Sequence, residues 1–182
     1  MRLLCYAILP NHWHLVVWPR DDGELSIYAQ WLTVTHVRRW HAHHHTQGTG
    51  PVYQGRSKSF PVEQDEHFFT VCRYVERNPL RANLVGRAEQ WRWSSLWHRV
   101  QQTQVPWLCD GPLPLLGDWI EHVNGAETDA ELAALRRSVV RGAPFGDEPW
   151  QVKAATALGL ESALRGQGRP RKLRKAAMKN LT

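Results

Sequence analysis

An α+β fold is predicted by three observations. Two short β-favouring runs flank a Pro-Asn turn, two longer stretches carry helical apolar spacing, and a separate helical unit opens near residue 128. At 182 residues the chain is long enough for one buried core and a small appendage.

The elements follow in order. Residues 3–9 are apolar and closed by Pro10, and residues 14–18 form a second such run, so the two read as neighbouring strands joined through Pro10-Asn11. After the loop Arg20-Asp21-Asp22-Gly23, the residues Leu25, Tyr28, Ala29, Leu32, His36 and Trp40 are spaced by threes and fours, which predicts a helix over 24–42. Arg38 and Arg39 fall near its C-terminal end, where cations suit the helix dipole. Residues 43–51 read as a loop and 57–62 as a strand. Residues 65–77 form a helix with Phe68, Phe69, Val71, Cys72 and Val75 as apolar positions, and Pro79 limits its length. Trp91, Trp93 and Trp97 are expected to cover the sheet. The polar, Pro-rich segment 101–127 reads as a linker. Thr128-Asp129-Ala130-Glu131 is a capping-box pattern opening a helix to Val140. A further helix is expected over 149–158, with Gly159 as its C-cap and a short turn at 161–165.

Charge and cysteines bound the function. Lys and Arg number 23 against 17 acids, for a formal charge of +6, and the isoelectric point is near 9.6. The excess is concentrated in Arg165, Arg169, Arg171, Lys172, Arg174 and Lys175, a stretch without an acid. Such asymmetry points to a polyanion, most simply nucleic acid, the plain alternative being a solvated tail. The cysteines Cys5, Cys72 and Cys109 are scattered, which suggests a reducing compartment and no disulfide or zinc framework. No apolar run approaches the roughly 20 residues of a membrane span, and no secretory leader precedes Pro10. A cytoplasmic, nucleoid-associated protein with no membrane partner is expected.

Two short stretches carry chemistry. In Pro10-Asn11-His12-Trp13-His14, strand alternation points His12 and His14 one way and Trp13 into the opposite layer. In Tyr74-Val75-Glu76-Arg77-Asn78-Pro79, a phenol and a carboxamide stand at i and i+4 and share one helix face. If that face looks onto the histidine strand, His12, His14 and Asn78 make three ligands for a divalent ion, with Tyr74 in reach of a bound phosphate. A phenol can attack phosphorus and hold the strand as a phosphotyrosine. Mg²⁺ or Mn²⁺ suits such a phosphate site, while Zn²⁺ is expected to bind in vitro.

Four motifs occur in order: Pro10-Asn11-His12-Trp13-His14-Leu15, Tyr53-Gln54-Gly55-Arg56, Arg73-Tyr74-Val75-Glu76-Arg77-Asn78-Pro79-Leu80-Arg81-Ala82 and Trp93-Ser94-Ser95. The series resembles the REP-associated tyrosine transposases, a single-tyrosine branch of the HUH nuclease superfamily, over roughly residues 5–98. Arg141-Gly142-Ala143-Pro144-Phe145-Gly146 and Gly168-Arg169-Pro170-Arg171-Lys172 are similar to the family's C-terminal extension. The resemblance implies a central antiparallel sheet flanked by helices (HUH, ferredoxin-like), with a small helical C-terminal extension. It also implies cutting and rejoining of single-stranded DNA at palindromic-repeat hairpins. It assigns nucleophilic attack to Tyr74, metal binding to His12 and His14, and the third ligand to Asn78, where related enzymes often carry Gln. Gln54, Arg56 and Lys58 match a motif near bound DNA, and with the basic residues Arg38, Arg39, Arg169, Arg171 and Lys172 they are the expected DNA contacts. Family members carry a leading strand and helix before the segment equivalent to 3–9. Their absence leads to the expectation of an N-terminally incomplete domain over 1–100 with an exposed sheet edge. Residues 128–182 are then a helical, basic DNA-binding extension. Two other readings stay open, a non-catalytic DNA-binding relic and an RNA-hairpin nuclease. Monomer and homodimer are also both open.

Other features weigh less. His36, His41, His43, His44 and His45 lack a partner Cys or acid for a defined metal site. The tryptophans suit packing more than base stacking. Gly168-Arg169-Pro170 resembles a minor-groove hook, with a general phosphate-binding tail as the equal alternative. Residues 149–165 could form a helix-turn-helix.

Overall fold

The computed structural model describes residues 1–165. Arg169, Arg171 and Lys172, with the Gly168-Arg169-Pro170 motif, lie outside the described residues. The architecture is α+β. A two-stranded antiparallel sheet, β1 (Arg2–Ile8) and β2 (Trp13–Trp18), is accompanied among the described residues by seven α-helices: α1 (Glu24–His44), α2 (Glu66–Arg81), α3 (Ser95–Val100), α4 (Trp119–Asn124), α5 (Asp129–Arg141), α6 (Glu148–Leu158) and α7 (Glu161–Leu164). No described helix is long and apolar enough to cross a membrane.

The register follows from alternation. Cys5 pairs with Val16, Tyr6 with Leu15, Ala7 with His14 and Ile8 with Trp13, and a bulge at Leu4 restores the pairing of Leu3 with Val17 and Arg2 with Trp18. Cys5, Ala7, Val16 and Trp18 look toward α2 and join Phe68, Cys72 and Val75 in the main core. The outer edge of β1 is covered: Ile8 N–H donates to Trp93 O (2.9 Å) and Cys109 N–H to Leu3 O (2.8 Å). Tyr6 N–H donates to Ser95 Oγ at 2.9 Å. No described backbone group pairs with the outer edge of β2.

α2 is the central helix. Asp65 caps it by accepting from His67 N–H at 2.9 Å, and Phe68, Val71, Cys72 and Val75 give it a buried face. It runs on to Arg81 with Pro79 inside its last turn, further than the expected end near Arg77. Proline removes one donor there without ending the helix at once, and the chain leaves it three residues on, with Leu84 N–H donating to Pro79 O at 3.0 Å.

Three expectations are corrected. Residues 101–127 are no free linker, because Trp119 and Val123 on α4 are buried in the main core. The local Pro and polar content hid two apolar anchors that only long-range packing reveals. Segment 57–62 is irregular apart from one bridge, Val62 with Phe145, since Pro61 has no N–H and no neighbouring strand runs alongside. The Trp-rich stretch buries Ser94, Ser95 and Leu96 and leaves Trp93 52% exposed.

The C-terminal helices match their sequence signals. Thr128 and Glu131 form the capping box of α5, and Gly142 and Gly159 end α5 and α6 in the left-handed region, where glycine has no Cβ penalty. α7 is a single four-residue turn, too short for the second helix of a helix-turn-helix within the described residues.

Candidate active site

The site starts from a tight turn. Leu9 N–H donates to His12 O at 2.8 Å, and Pro10 fixes the backbone between them, so His12 arrives at the threshold of β2 and His14 two residues into it. The rings meet edge-on with centroids 4.9 Å apart. His12 Nδ1 lies 2.7 Å from Asn11 Oδ1. A carboxamide oxygen only accepts, so His12 Nδ1–H donates to it and Nε2 faces away from that contact.

His14 points at α2. Asn78 Nδ2 donates to His14 Nε2 at 2.8 Å, across 64 residues of sequence, and the His14 ring meets that of Tyr74 edge-on at 5.7 Å. Burial, then the charges of His12 and Arg81, holds the His14 pKa down at about 4, so the ring is neutral near pH 7 and its Nε2 lone pair accepts the Asn78 bond. Asn78 is buried, and Tyr74 is half-buried beside it on the same helix face.

The four residues drawn from the two motifs therefore converge. The residues expected to contact DNA do not join them. Gln54, Arg56 and Lys58 lie on an exposed irregular segment, and Arg38 and Arg39 are exposed on α1. Tyr53 ties these two regions to the histidine strand: its hydroxyl accepts from Trp13 Nε1 (3.2 Å) and pairs with His36 Nδ1 (2.7 Å). Trp13, expected in the core, is half-buried on the sheet face opposite α2.

Sequence reasoning missed two residues of the site. The Arg81 guanidinium stands 4.1 Å from the centroid of the Tyr74 ring, and its NH1 donates to Glu127 Oε2 at 3.3 Å. Arg81 is seven residues after Tyr74, so the helical period could have flagged it. Glu127 carried no local signal.

The donor chemistry fits a divalent ion. Two imidazoles and one carboxamide are gathered here. Asn78 Nδ2 now donates to His14 Nε2, so turning the amide to present its oxygen would free that nitrogen and complete a three-donor set with positions left for phosphate and water. A second cluster, Glu63, Asp65 and His67, also places ligand atoms within 4.8 Å of one another. Its members have structural work: Asp65 caps α2 and contacts His67 Nδ1 at 2.8 Å, while Glu63 Oε2 accepts from Asp147 N–H at 2.8 Å. A cavity of about 520 Å³ lies under residues 110–115. Its walls are Glu76, Arg99 and their neighbours, and none of His12, His14, Tyr74 and Asn78 lines it.

Comparison with protein-family models, with curated proteins and with solved structures returns no match.

Proposed function

We propose that this chain is a metal-dependent, tyrosine-using DNA endonuclease and strand transferase of the transposase type, cutting and rejoining single-stranded DNA at palindromic-repeat hairpins. β1, β2 and α2 are read as part of an HUH, ferredoxin-like core, and a nucleoid-associated location follows from that substrate. The observation that carries the proposal is the meeting of His14 with both Asn78, at 2.8 Å, and Tyr74, with ring centroids at 5.7 Å. Two imidazoles, a carboxamide and a phenol in one place, drawn from a strand and a helix far apart in sequence, match the needs of phosphoryl transfer better than those of packing.

In the proposed reaction the Tyr74 oxygen bonds to phosphorus and loses its proton to solvent. The bond from phosphorus to one deoxyribose oxygen breaks, and that oxygen takes up a proton. Rejoining is the reverse, with a deoxyribose hydroxyl displacing the phenol. His12, His14 and Asn78 would hold Mg²⁺ or Mn²⁺, which when bound withdraws charge from the scissile phosphate. His14 contributes by staying neutral, since a protonated ring offers no lone pair.

The test is a denaturing gel of the full chain incubated with Mn²⁺ and hairpin oligonucleotides taken from around the gene. A covalent protein–DNA adduct is expected. Tyr74→Phe should abolish it while hairpin affinity stays within about fivefold, because one lost hydroxyl contact removes only on the order of 1 kcal/mol of binding. No adduct in the unsubstituted chain, or equal loss of adduct and affinity in the variant, overturns the proposal. A second reading, a non-catalytic DNA-binding relic, is favoured by one feature: the strand carrying His14 has no described partner on its outer edge. It predicts hairpin binding with no adduct under any metal.

A further inference from the structure

Three arginines form a ladder along one face of α2, and they are held differently. Arg73 NH2 donates to Ala126 O at 2.8 Å, and its NH1 lies 3.8 Å from Glu131. Arg77 donates to Val123 O at 3.1 Å and to Asn124 O, with its Nε 3.6 Å from Glu127. Both are staples between α2 and the chain that leads into α5. Arg81 is held by two contacts that leave most of its donors unused among the described residues: the face of its guanidinium rests on the Tyr74 ring at 4.1 Å, and NH1 reaches Glu127 Oε2 at 3.3 Å.

A guanidinium has five N–H donors. Among the described residues Arg81 uses one, and its side chain is 24% exposed whereas that of Glu127 is 5% exposed. Glu127 is thus sealed in with both arginines, and its Oε1 is buried with no hydrogen-bond donor among the described residues. A carboxylate in that position fixes one edge of Arg81 and pins the plane of the fork over the phenol ring. The other donors stay available beside the phenol, and planar, pre-oriented donors of this kind match the oxygens of a phosphate.

We propose that Arg81 is the phosphate-binding residue of the site: its open donors take the non-bridging oxygens of the phosphate presented to Tyr74, and Glu127 is the positioning residue that holds it there. The proposal rests on the functional reading above for the phosphate being that of DNA, whereas the capture of a phosphate anion beside Tyr74 stands on the geometry of Arg81 alone. Negative charge on the phosphoryl oxygens rises as the phenol attacks, so a fixed cation there favours the transition state over the bound substrate.

Two measurements on the full chain separate the two claims. In the first, inorganic phosphate is titrated into chelator-treated protein while the Arg81 Nε–H and Tyr74 ring signals are followed by NMR. Saturable shifts are expected, with affinity about tenfold weaker in Arg81→Met, which keeps the apolar stem on the ring and removes the charge, and partly kept in Arg81→Lys. Arg77→Met serves as the control: it should lower the melting temperature and leave phosphate affinity unchanged. In the second, the rate of adduct formation with the hairpin oligonucleotide should fall about 100-fold in Arg81→Met at nearly constant hairpin affinity, and about tenfold in Glu127→Gln. Phosphate shifts that ignore Arg81→Met, or adduct formation by that variant at the unsubstituted rate, overturn the assignment. If phosphate binding depends on Arg81 but no adduct ever forms, the tyrosine-nucleophile reading falls and the Arg81 site stands.

Discussion

Burial decides the state of His14. The ring sits between β2 and α2, and loss of hydration lowers its pKa from the ordinary 6.5 to about 4, with the charges of His12 and Arg81 adding to the effect. In the unfolded chain the same imidazole protonates near 6.5. Between those two values the unfolded state binds more protons, so stability rises with pH across that window and is lost as the solution is acidified through it. Metal-free protein should therefore lose on the order of 3 kcal/mol from this group between pH 6.5 and pH 4. His14→Gln, which can still accept from Asn78, should flatten the profile of denaturant unfolding free energy against pH. Parallel profiles for the two proteins would show that His14 is not held neutral by the fold. The same property matters for the proposed chemistry, since a ring that stays neutral down to mild acidity can exchange the Asn78 N–H for an ion over the whole physiological range. The positions of His12, His14, Tyr74 and Asn78 were readable because periods of two and of 3.6 place side chains on faces without knowledge of the rest of the fold. Glu127 was not readable, since it reaches Arg81 only through the tertiary path of a segment whose composition resembles a tether.

At the scale of the element, α2 is shaped by having a different task on each side. Tyr74 and Asn78 face the histidines, Arg73, Arg77 and Arg81 face the chain entering α5, and Phe68, Cys72 and Val75 face the core. Glu76 takes the remaining direction and is 1% exposed. Its carboxylate oxygens accept from Trp119 Nε1 at 2.7 Å and meet Ser95 Oγ at 2.5 Å, with Arg99 Nε at 3.5 Å. Burial pushes its carboxyl above the usual range, which favours the neutral form. A glutamine can imitate that form, with its oxygen accepting from Trp119 and its amide donating to Ser95 Oγ, which then turns its proton to Tyr6 O. Glu76→Gln should cost no more than about 1 kcal/mol, while Glu76→Ala, which leaves the Trp119 donor unpaired beside a void, should cost about 3 kcal/mol or prevent folding. Chemical denaturation of the two variants checks this, and a glutamine as damaging as the alanine would mean that the carboxylate is ionised and held by Arg99. Helix boundaries with local markers were legible in the sequence: the capping box at Thr128, the glycines after α5 and α6, and the Asp65 cap. α4 was not, because its six residues bury Trp119 and Val123 against partners far away in sequence, and no local period records that.

On the scale of the whole molecule, order is unevenly distributed. The sheet has only two described strands, and everything well packed lies on the α2 side of it or along the outer edge of β1. α1 is the longest helix described and has no buried residue, while Ile27, Trp31, Val34 and Trp40 on it are exposed. Its described hydrogen bonds to the rest of the molecule are sparse: His36 reaches Tyr53, and Glu24 reaches Arg20 and the Met1 amine. Leu25, Tyr28, Ala29, Leu32 and Val37 are only half-buried, so the helix gains little from packing and leans on its own backbone, which is marginal for isolated helices in water. The amides of α1 should therefore exchange with solvent through local opening at a small free energy, whereas those of Val71, Cys72 and Val75 should exchange only through global unfolding. Native-state hydrogen exchange on the full chain reads both at once. Protection in α1 equal to that in α2 at every protein concentration would mean that its apolar side is covered within one copy, and the packing given above would be wrong. The expected inequality has a functional consequence, because Arg38 and Arg39 ride on α1 and Gln54, Arg56 and Lys58 follow it in the chain. On the proposed function, these five of the eight expected DNA contacts would then sit on or next to the loosely held helix and the phosphoryl-transfer residues on the rigid part, so DNA would be engaged by a surface that adapts while Tyr74 and Arg81 stay fixed.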